Sequence, residues 1–149
     1  PCYDLAIVSI PVKTPEYLRL AQEDERIQVG DEVRAIGNPQ GFSVSVSKGI
    51  ISAIRSLKDM GLSADDVKIT ACEHLSGRVL EAATWIQTDA SINPGNSGGP
   101  LLNDHNKIIG INTWIYSQSG GSEGLGFALH AKHVRKFAAG YLPKPTTSR

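Results

Sequence analysis

The chain has 149 residues, which is enough for one compact domain with a hydrophobic core. Fifteen lysine and arginine residues balance fifteen aspartate and glutamate residues, so no overall field favours nucleic acid or an acidic partner. No apolar run approaches the ~20 residues that span a bilayer, and no secretory signal peptide leads the sequence. Cys2 and Cys72 allow at most one disulfide and lack metal-ligand spacing, so we expect isolated buried thiols, no metal and no cofactor.

Short segments of alternating apolar residues predict a chain built from strands. The predicted strands are, in chain order, 4–10, 29–36, 43–54, 85–88, 99–103, 107–116 and 125–129. A charged turn is expected over 23–26 and a hairpin turn over 104–106. Gly49, inside the third of these strands, predicts a bend or bulge. Many short strands without alternating helices predict an all-β barrel or sandwich.

A helix is predicted after the last strand, over 131–142. Its apolar residues recur at helical spacing, so one face should pack on the sheet. These residues are Val134, Phe137, Ala138 and Tyr141. Pro143 and Pro145 end the helix, and 143–149 is typical of a tail or linker.

The segment Asn93-Pro94-Gly95-Asn96-Ser97-Gly98-Gly99-Pro100 has the clearest chemical meaning. Glycines on both sides of Ser97 permit unusual backbone angles and close approach of a substrate chain. The N–H groups of Gly95 and Ser97 can then point at one spot, as stabilising a developing oxyanion requires. An inert surface turn is the alternative for a bare Ser-Gly-Gly, but this segment lies between two predicted strands.

Together with its surroundings, this motif resembles the trypsin-like serine proteases of the HtrA/Deg type. The similarity covers most of the chain, leaving 57–83 and the residues after 140 unmatched. The matching blocks occur in the family's order at 4–8, 30–33, 35–39, 47–52, 86–90, 92–102, 108–113 and 124–128.

The resemblance implies a chymotrypsin-like double barrel, of which this chain carries the second barrel. We therefore expect a six-stranded antiparallel Greek-key barrel from about residue 28 to 129, closed by the C-terminal helix. The first barrel is expected to be largely absent. The resemblance implies three parts. Residues 1–26 form the last strand of the first barrel and the inter-barrel linker, residues 27–142 form the second barrel and its closing helix, and residues 143–149 form a tail or linker.

The resemblance also implies a serine endopeptidase that cleaves unfolded or damaged proteins. Ser97 is the implied nucleophile, and Asp4 is the acid that orients a catalytic histidine, with Thr113 as its hydrogen-bond partner. The implied oxyanion hole consists of Gly95, Asn96 and Ser97. The implied substrate-binding residues are Ile92, Asn93, Pro94, Ile111, Asn112, Thr113, Trp114 and Leu125. For Trp114, a core position is the alternative.

No histidine of the sequence fits the role of the catalytic base. The family's chain order is histidine, aspartate, serine, and only three residues precede Asp4. The four histidines are His74 in the unmatched segment, His105 in the hairpin turn, and His130 and His133 near the helix, on the far side of the barrel. The spacing of the last two can suit a metal, but a solvated pair is favoured. We therefore expect the histidine to lie outside this chain, and the chain alone to be inactive.

Two departures from digestive trypsins affect activation and specificity. Asn96 replaces an aspartate that pairs with a new N-terminus, so activation by N-terminal cleavage is not expected. Ile92 and Leu125 predict an apolar pocket and cleavage after small or medium aliphatic residues. The segment 57–84 replaces a shorter loop, and both a surface insertion and a regulatory loop stay open.

Two further interpretations stay open beside the active protease. One is a catalytically inactive protease-like module that binds peptides, and the other is a protease fragment that needs a complementary N-terminal chain. The resemblance implies polypeptide substrates, the N-terminal part of the same protease domain as a partner, a homotrimer and a C-terminal peptide-binding domain. It also implies an extracytoplasmic compartment, such as a periplasm or organelle lumen.

Overall fold

The computed structural model describes residues 4–12, 16–39, 43–63, 65–67 and 81–141. Within these ranges the chain forms six strands followed by a helix, α1. They are β1 (Glu32–Gly37), β2 (Ser45–Arg55), β3 (Trp85–Thr88), β4 (Pro100–Leu102), β5 (Ile108–Ile115), β6 (Gly126–His130) and α1 (Ala131–Ala138). All neighbouring strands are antiparallel, and they close into a barrel in the order β1-β2-β3-β6-β5-β4.

This architecture confirms the predicted all-β barrel with a closing helix. The strand bounds lie close to the predicted ones, and β3 covers the predicted residues 85–88. β1 begins at Glu32 rather than at 29, because the Asp31 carboxylate accepts a hydrogen bond from the Gln28 N–H at 2.7 Å and closes a turn there. The helix ends at Ala138, short of the predicted 142.

The strand predicted over 4–10 is wrong. Residues 5–10 belong to no strand, and no strand of the described ranges pairs with them. Ile7, Val8 and Ile10 are exposed to 46%, 81% and 59%. A strand is maintained by backbone hydrogen bonds to a neighbour, and an apolar alternating sequence without that neighbour stays extended and solvated.

The bulge predicted at Gly49 is also wrong. The register between β1 and β2 is continuous through this residue, and the irregularity of β2 lies between Ile51 and Ala53, opposite β3. A Cβ at Gly49 would overlap the backbone nitrogen of Ala90 and the carboxylate of Asp89. The glycine therefore allows the segment after β3 to approach β2 closely.

The apolar residues divide into two clusters, because successive residues of a strand point to opposite faces. Ile86 contributes to the barrel interior, while its neighbour Trp85 contributes to a second, outer cluster. The interior cluster takes residues from all six strands and includes Val33, Ile51, Ile86, Leu101, Ile109 and Ala128. The outer cluster consists of Leu57, Ala83, Trp85, Trp114, Phe127 and Leu129.

The start of the unmatched segment covers this outer cluster. Leu57 is fully buried in it, and Met60, Leu62 and Val67 pack against it. The described part of 57–84 therefore packs on the barrel. Residues 64 and 68–80 lie outside the described residues, and so do both cysteines, His74 and the predicted tail.

Helix α1 is held to the barrel by two histidines. The Nδ1 of His130 accepts from the Lys132 N–H at 3.0 Å and caps the helix. The Nε2 of His133 accepts from the Thr84 N–H, just before β3, at 2.9 Å. Within the ranges that the structure describes, no helix has the length and apolar character to cross a bilayer.

Candidate active site

The loop that joins β3 to β4, residues 89–99, is anchored to the barrel at both ends. At its start, the Asp89 carboxylate accepts from the Ile50 N–H at 2.7 Å. At its end, the Gly98 N–H donates to the Asn112 carbonyl at 2.8 Å, and the Asn112 N–H donates to Gly99 at 2.9 Å. The conformation of the loop is thus set by a carboxylate bond to β2 and backbone bonds to β5.

The turn at the centre of this loop requires a glycine at position 95. Gly95 has φ 101°, and a Cβ there would overlap the Asn38 carbonyl oxygen and lie 2.7 Å from the Cα of Pro39. Asn38 also donates its own N–H to the Gly95 carbonyl at 3.0 Å. Only a residue without a side chain satisfies both the positive φ and this close approach.

Two amides of the turn have no acceptor among the described residues, namely those of Gly95 and Ser97. The Asn96 N–H donates to the Asn93 carbonyl at 2.9 Å, and the Asn96 carbonyl accepts from Gly99 at 2.9 Å. Of the three residues predicted for the oxyanion hole, Asn96 therefore fixes the turn, while the other two keep donors available. Two free amides separated by a single residue are the donors that binding of a developing oxyanion requires.

The Ser97 side chain is exposed at the edge of this turn. Its Oγ donates to the Thr113 carbonyl at 3.1 Å. A carbonyl cannot take the hydroxyl proton, so the serine needs a base before it can attack a substrate.

Asp4 and Ser97 line the same cavity, which has a volume of about 380 Å³. This size falls in the ~300–1,000 Å³ range typical of ligand sites. The Asp4 side chain is exposed and its φ is 54°, a left-handed conformation that aspartate tolerates better than most residues. The fold thus brings together the two residues predicted for the triad, although 93 positions separate them in the sequence (97 − 4 = 93).

The predicted hydrogen bond from Thr113 to Asp4 is wrong. The Thr113 hydroxyl donates instead to the Ile111 carbonyl, two residues earlier in β5, at 2.9 Å. A threonine hydroxyl satisfies itself on the nearest backbone acceptor when no other group is close. The contribution of Thr113 to the site is its carbonyl, which accepts from Ser97.

Trp114 is a core residue, so the cleft wall predicted for its side chain is wrong and the core alternative is confirmed. It is only 9% exposed and belongs to the outer cluster. Its ring stacks on Phe127 at a centroid distance of 3.9 Å and meets Trp85 edge-on at 5.9 Å.

The other predicted pocket residues lie in different environments. Ile92 is 3% exposed and belongs to the interior cluster. It packs so closely on Gly126 that a Cβ at position 126 would lie 2.5 Å from the Ile92 Cγ1. Asn112 is buried, and its Nδ2 donates to the Pro100 carbonyl at 3.2 Å. Pro94 is exposed, whereas Asn93, Ile111 and Leu125 are half-buried. Of the predicted pocket side chains, these three, Pro94 and the half-buried Thr113 remain accessible.

Asn93 connects two loops of the site. Its Oδ1 accepts from the Ser122 N–H at 3.1 Å, which ties the β3–β4 loop to the loop between β5 and β6. The sequence indicates Asn93 as a pocket residue but does not indicate this bond.

Helix α1 supplies a wall of the Ser97 cavity that the sequence analysis missed. Val134, Phe137 and Ala138 line the cavity together with Ser97 and Gly98. Their helical spacing in the sequence predicts an apolar face that packs on the sheet, and the same face forms this wall. What it could not indicate is that part of this apolar face stays open to the site.

None of the three described histidines lines the cavity that Ser97 and Asp4 share. His105 is exposed, 3.7 Å from the Asp104 carboxylate in the hairpin turn. Burial and the nearby Lys132 lower the pKa of His130 and of His133 to about 4, so both are neutral at neutral pH and serve the helix contacts described above. The described part of the site therefore contains a serine, a carboxylate and two free amides, and no imidazole.

A closed six-stranded barrel that carries a glycine-flanked serine across a cavity from an aspartate is the architecture of chymotrypsin-like serine proteases. The family described as trypsin-like peptidase domain matches residues 1–111, so the chain belongs to the trypsin-like peptidases.

The relatives of the chain are serine proteases of the HtrA and DegP type. It is 40% identical to the magnetosome formation protease MamE of Paramagnetospirillum magneticum, over 96% of this chain and 18% of that protein. It is 41% identical to a probable periplasmic serine endoprotease DegP-like of Chlamydia muridarum, over 87% of this chain and 22% of that protein. The chain thus spans about a fifth of the length of these curated relatives.

Solved structures show the same type of protease. The HtrA-type protease AlgW with tripeptide superposes with a TM-score of 0.66 at 38% identity, covering 87% of this chain and 37% of that one. The serine endoprotease from Yersinia pestis superposes with a TM-score of 0.56 at 32% identity. The resemblance to the HtrA/Deg type is therefore confirmed in both sequence and fold.

Proposed function

We propose that this chain forms the serine-bearing barrel of an HtrA-type endopeptidase, with Ser97 as the nucleophile. The observation that carries the proposal is the shared cavity of Ser97 and Asp4, beside a turn whose Gly95 and Ser97 amides have no acceptor among the described residues. Nucleophile, orienting carboxylate and oxyanion donors are three of the four parts of a serine-protease site.

The proposed reaction proceeds by acyl transfer. An imidazole supplied from outside this chain takes the Ser97 hydroxyl proton while Oγ attacks the peptide carbonyl, and Asp4 orients that imidazole. The amides of Gly95 and Ser97 stabilise the oxyanion of the tetrahedral intermediate. The imidazole then returns the proton to the leaving amine, and water hydrolyses the acyl-enzyme through the same proton transfers.

The exposed apolar residues of 5–10 support the N-terminal part of the same protease domain as the partner. Ile7, Val8 and Ile10 are unpaired with any described strand, beside Asp4. A neighbouring barrel that covers these side chains would bury their apolar surface and bring a histidine next to Asp4.

The substrate proposed is an unfolded polypeptide with a small or medium aliphatic residue at the cleavage site. Ile111 and Leu125 are the accessible apolar side chains of the predicted pocket. Extracytoplasmic action is proposed from the DegP-like relatives, which are named as periplasmic. Trimer formation and a C-terminal peptide-binding domain are proposed from the family resemblance alone.

The decisive experiment is Ser97→Ala in the full-length protein, with casein as an unfolded substrate. We expect cleavage to fall by at least roughly 10⁴-fold, since the acyl-enzyme cannot form. Ser45→Ala is the matched control, because the Ser45 hydroxyl is exposed and, among the described residues, bonds only to the Ser43 carbonyl at 3.4 Å. Undiminished cleavage by Ser97→Ala would refute the proposal.

A further inference from the structure

We propose that Glu123 is a positioning residue of the substrate pocket: its carboxylate holds the β5–β6 loop so that Ser122 binds Asn93 and keeps the pocket wall beside the oxyanion turn. The proposal rests on the protease function proposed above. Glu123 lies in the loop that connects Ile115 to Gly126.

The Glu123 carboxylate gathers four hydrogen bonds from one short stretch of this loop. Its Oε1 accepts from the Ser119 hydroxyl at 2.6 Å, the Ser119 N–H at 2.9 Å and the Ser117 hydroxyl at 3.0 Å. Its Oε2 accepts from the Gln118 N–H at 3.3 Å. The Ser117 Oγ also accepts from the Gly120 N–H at 3.0 Å, so the side chain forms the centre of a wrapped turn.

These bonds favour the ionised carboxylate, because all four groups donate to it. The hydrogen bonds from Ser119, first through its hydroxyl and then through its N–H, lower the pKa of Glu123 to about 2, with Gln118 and Ser117 adding to the effect. The carboxylate is therefore ionised throughout the neutral range, and the turn keeps its acceptor there.

The loop has little else to define its path. Gly120 and Gly124 have φ values of 83° and 79°, and Gly121 adds a third flexible residue. One backbone bond, from the Tyr116 N–H to the Leu125 carbonyl at 2.9 Å, joins its two ends. A glycine-rich loop of this kind samples many conformations unless side-chain bonds offset the entropy, and Glu123 supplies four of them.

The loop reaches the oxyanion turn in two steps. Ser122, adjacent to Glu123, donates its N–H to the Asn93 Oδ1 at 3.1 Å. The Asn93 carbonyl in turn accepts from the Asn96 N–H at 2.9 Å, between Gly95 and Ser97. Displacement of the loop therefore removes a bond from Asn93, the residue whose carbonyl holds the Asn96 amide of the turn.

The test is steady-state kinetics of the full-length protein on peptides that differ only in alanine, valine or leucine at the cleavage position. We expect Glu123→Ala to lower kcat/KM roughly 10–100-fold, the cost of a misplaced substrate-positioning group. Glu123→Gln keeps one acceptor oxygen and should lower it roughly 3–10-fold. The loss should fall mainly on KM and increase with the size of the aliphatic side chain, which a general loss of stability would not produce.

Two further variants keep the test independent of folding defects. Ser117→Ala combined with Ser119→Ala retains the carboxylate and removes two of its donors, so an intermediate loss is expected. Glu23→Ala is the control, because the Glu23 side chain is exposed and forms no bond that the structure shows. Kinetics equal to this control in all three loop variants would overturn the proposal while leaving Ser97 chemistry intact.

Amide hydrogen exchange separates this proposal from the protease function. In Glu123→Ala we expect faster exchange at Ser119 and Ser122, with unchanged exchange at Ile86 in the barrel. This result would support the positioning role even if Ser97→Ala showed the protein not to be a protease. Unchanged exchange at Ser122 would overturn the role whatever the kinetics.

Discussion

The two sides of the Ser97 cavity are built in opposite ways. The serine loop, 89–99, is anchored to β2 and β5 by backbone and carboxylate bonds, and its central glycine packs against the segment after β1. Another wall, formed from 4–10, belongs to no strand and exposes Ile7, Val8 and Ile10. The barrel thus fixes the Ser97 loop by itself, whereas the segment that carries Asp4 pairs with no described strand. Four predictions test this difference.

The largest effect is expected in the segment 4–10, which pairs with no described strand. Asp4→Asn in the full-length protein should lower kcat by roughly 10⁴-fold, because an amide orients the imidazole in the wrong tautomer. Asp24→Asn is the control, since that carboxylate is exposed in the turn of 23–26. A loss below tenfold, measured on casein or a peptide, would show that Asp4 is not the orienting acid.

Gly95→Ala tests the serine loop, 89–99, which hydrogen bonds anchor to the barrel. The added methyl overlaps the Asn38 carbonyl, so the turn must shift and the Gly95 amide must move with it. Loss of an oxyanion donor costs about 10²–10³-fold in kcat. Gly30→Ala is the matched control, because Gly30 also has a positive φ, 95°, but nothing lies within 4 Å of a Cβ there. Equal kcat in both variants would contradict an oxyanion role for Gly95.

A pair of truncations compares the stability of the two regions. Leu101→Ala empties a fully buried site of the interior cluster and should destabilise the fold by about 2–5 kcal/mol. Val8→Ala, at 81% exposure, should change the free energy of unfolding of this chain by less than about 0.5 kcal/mol. Denaturant unfolding of the isolated chain measures both. A larger loss would show that the Val8 side chain packs on the barrel, as Leu5 does.

The smallest effect is a pH dependence of stability from the helix that walls the cavity. Burial lowers the pKa of His133 from 6.5 to about 4, so the unfolded chain binds its proton first as the pH falls. Stability should therefore decrease between pH 6.5 and 4 and level off below, and His130 should act in the same direction. His133→Gln retains an acceptor for the Thr84 N–H without titrating, so its melting temperature should fall less over this range. If the melting temperature of His133→Gln depended on pH as steeply as that of the unsubstituted protein, His133 would not be the source of the effect.

The fold and the serine loop could be predicted because their signals are local. Alternation along β3 and the glycines around Ser97 depend on neighbours within a few residues, and the family resemblance ordered these segments into a barrel. The roles of Thr113 and Trp114 depend instead on which groups the fold brings near. A carbonyl two residues away satisfies the threonine, and Phe127 and Trp85 enclose the tryptophan.

The sequence by itself determined the strands, their order in the barrel through the family resemblance, and the presence of a serine in a glycine-rich loop, since strand periodicity and loop composition are properties of adjacent residues. Tertiary structure decided why position 95 needs a glycine, because the Asn38 carbonyl approaches it closely. Tertiary structure alone decided that Asp4 meets Ser97 in one cavity, that α1 walls it, and that 4–10 forms no strand. Each of these is a contact, or a missing contact, between segments far apart in the chain, and pairing of that kind leaves no pattern in either segment alone.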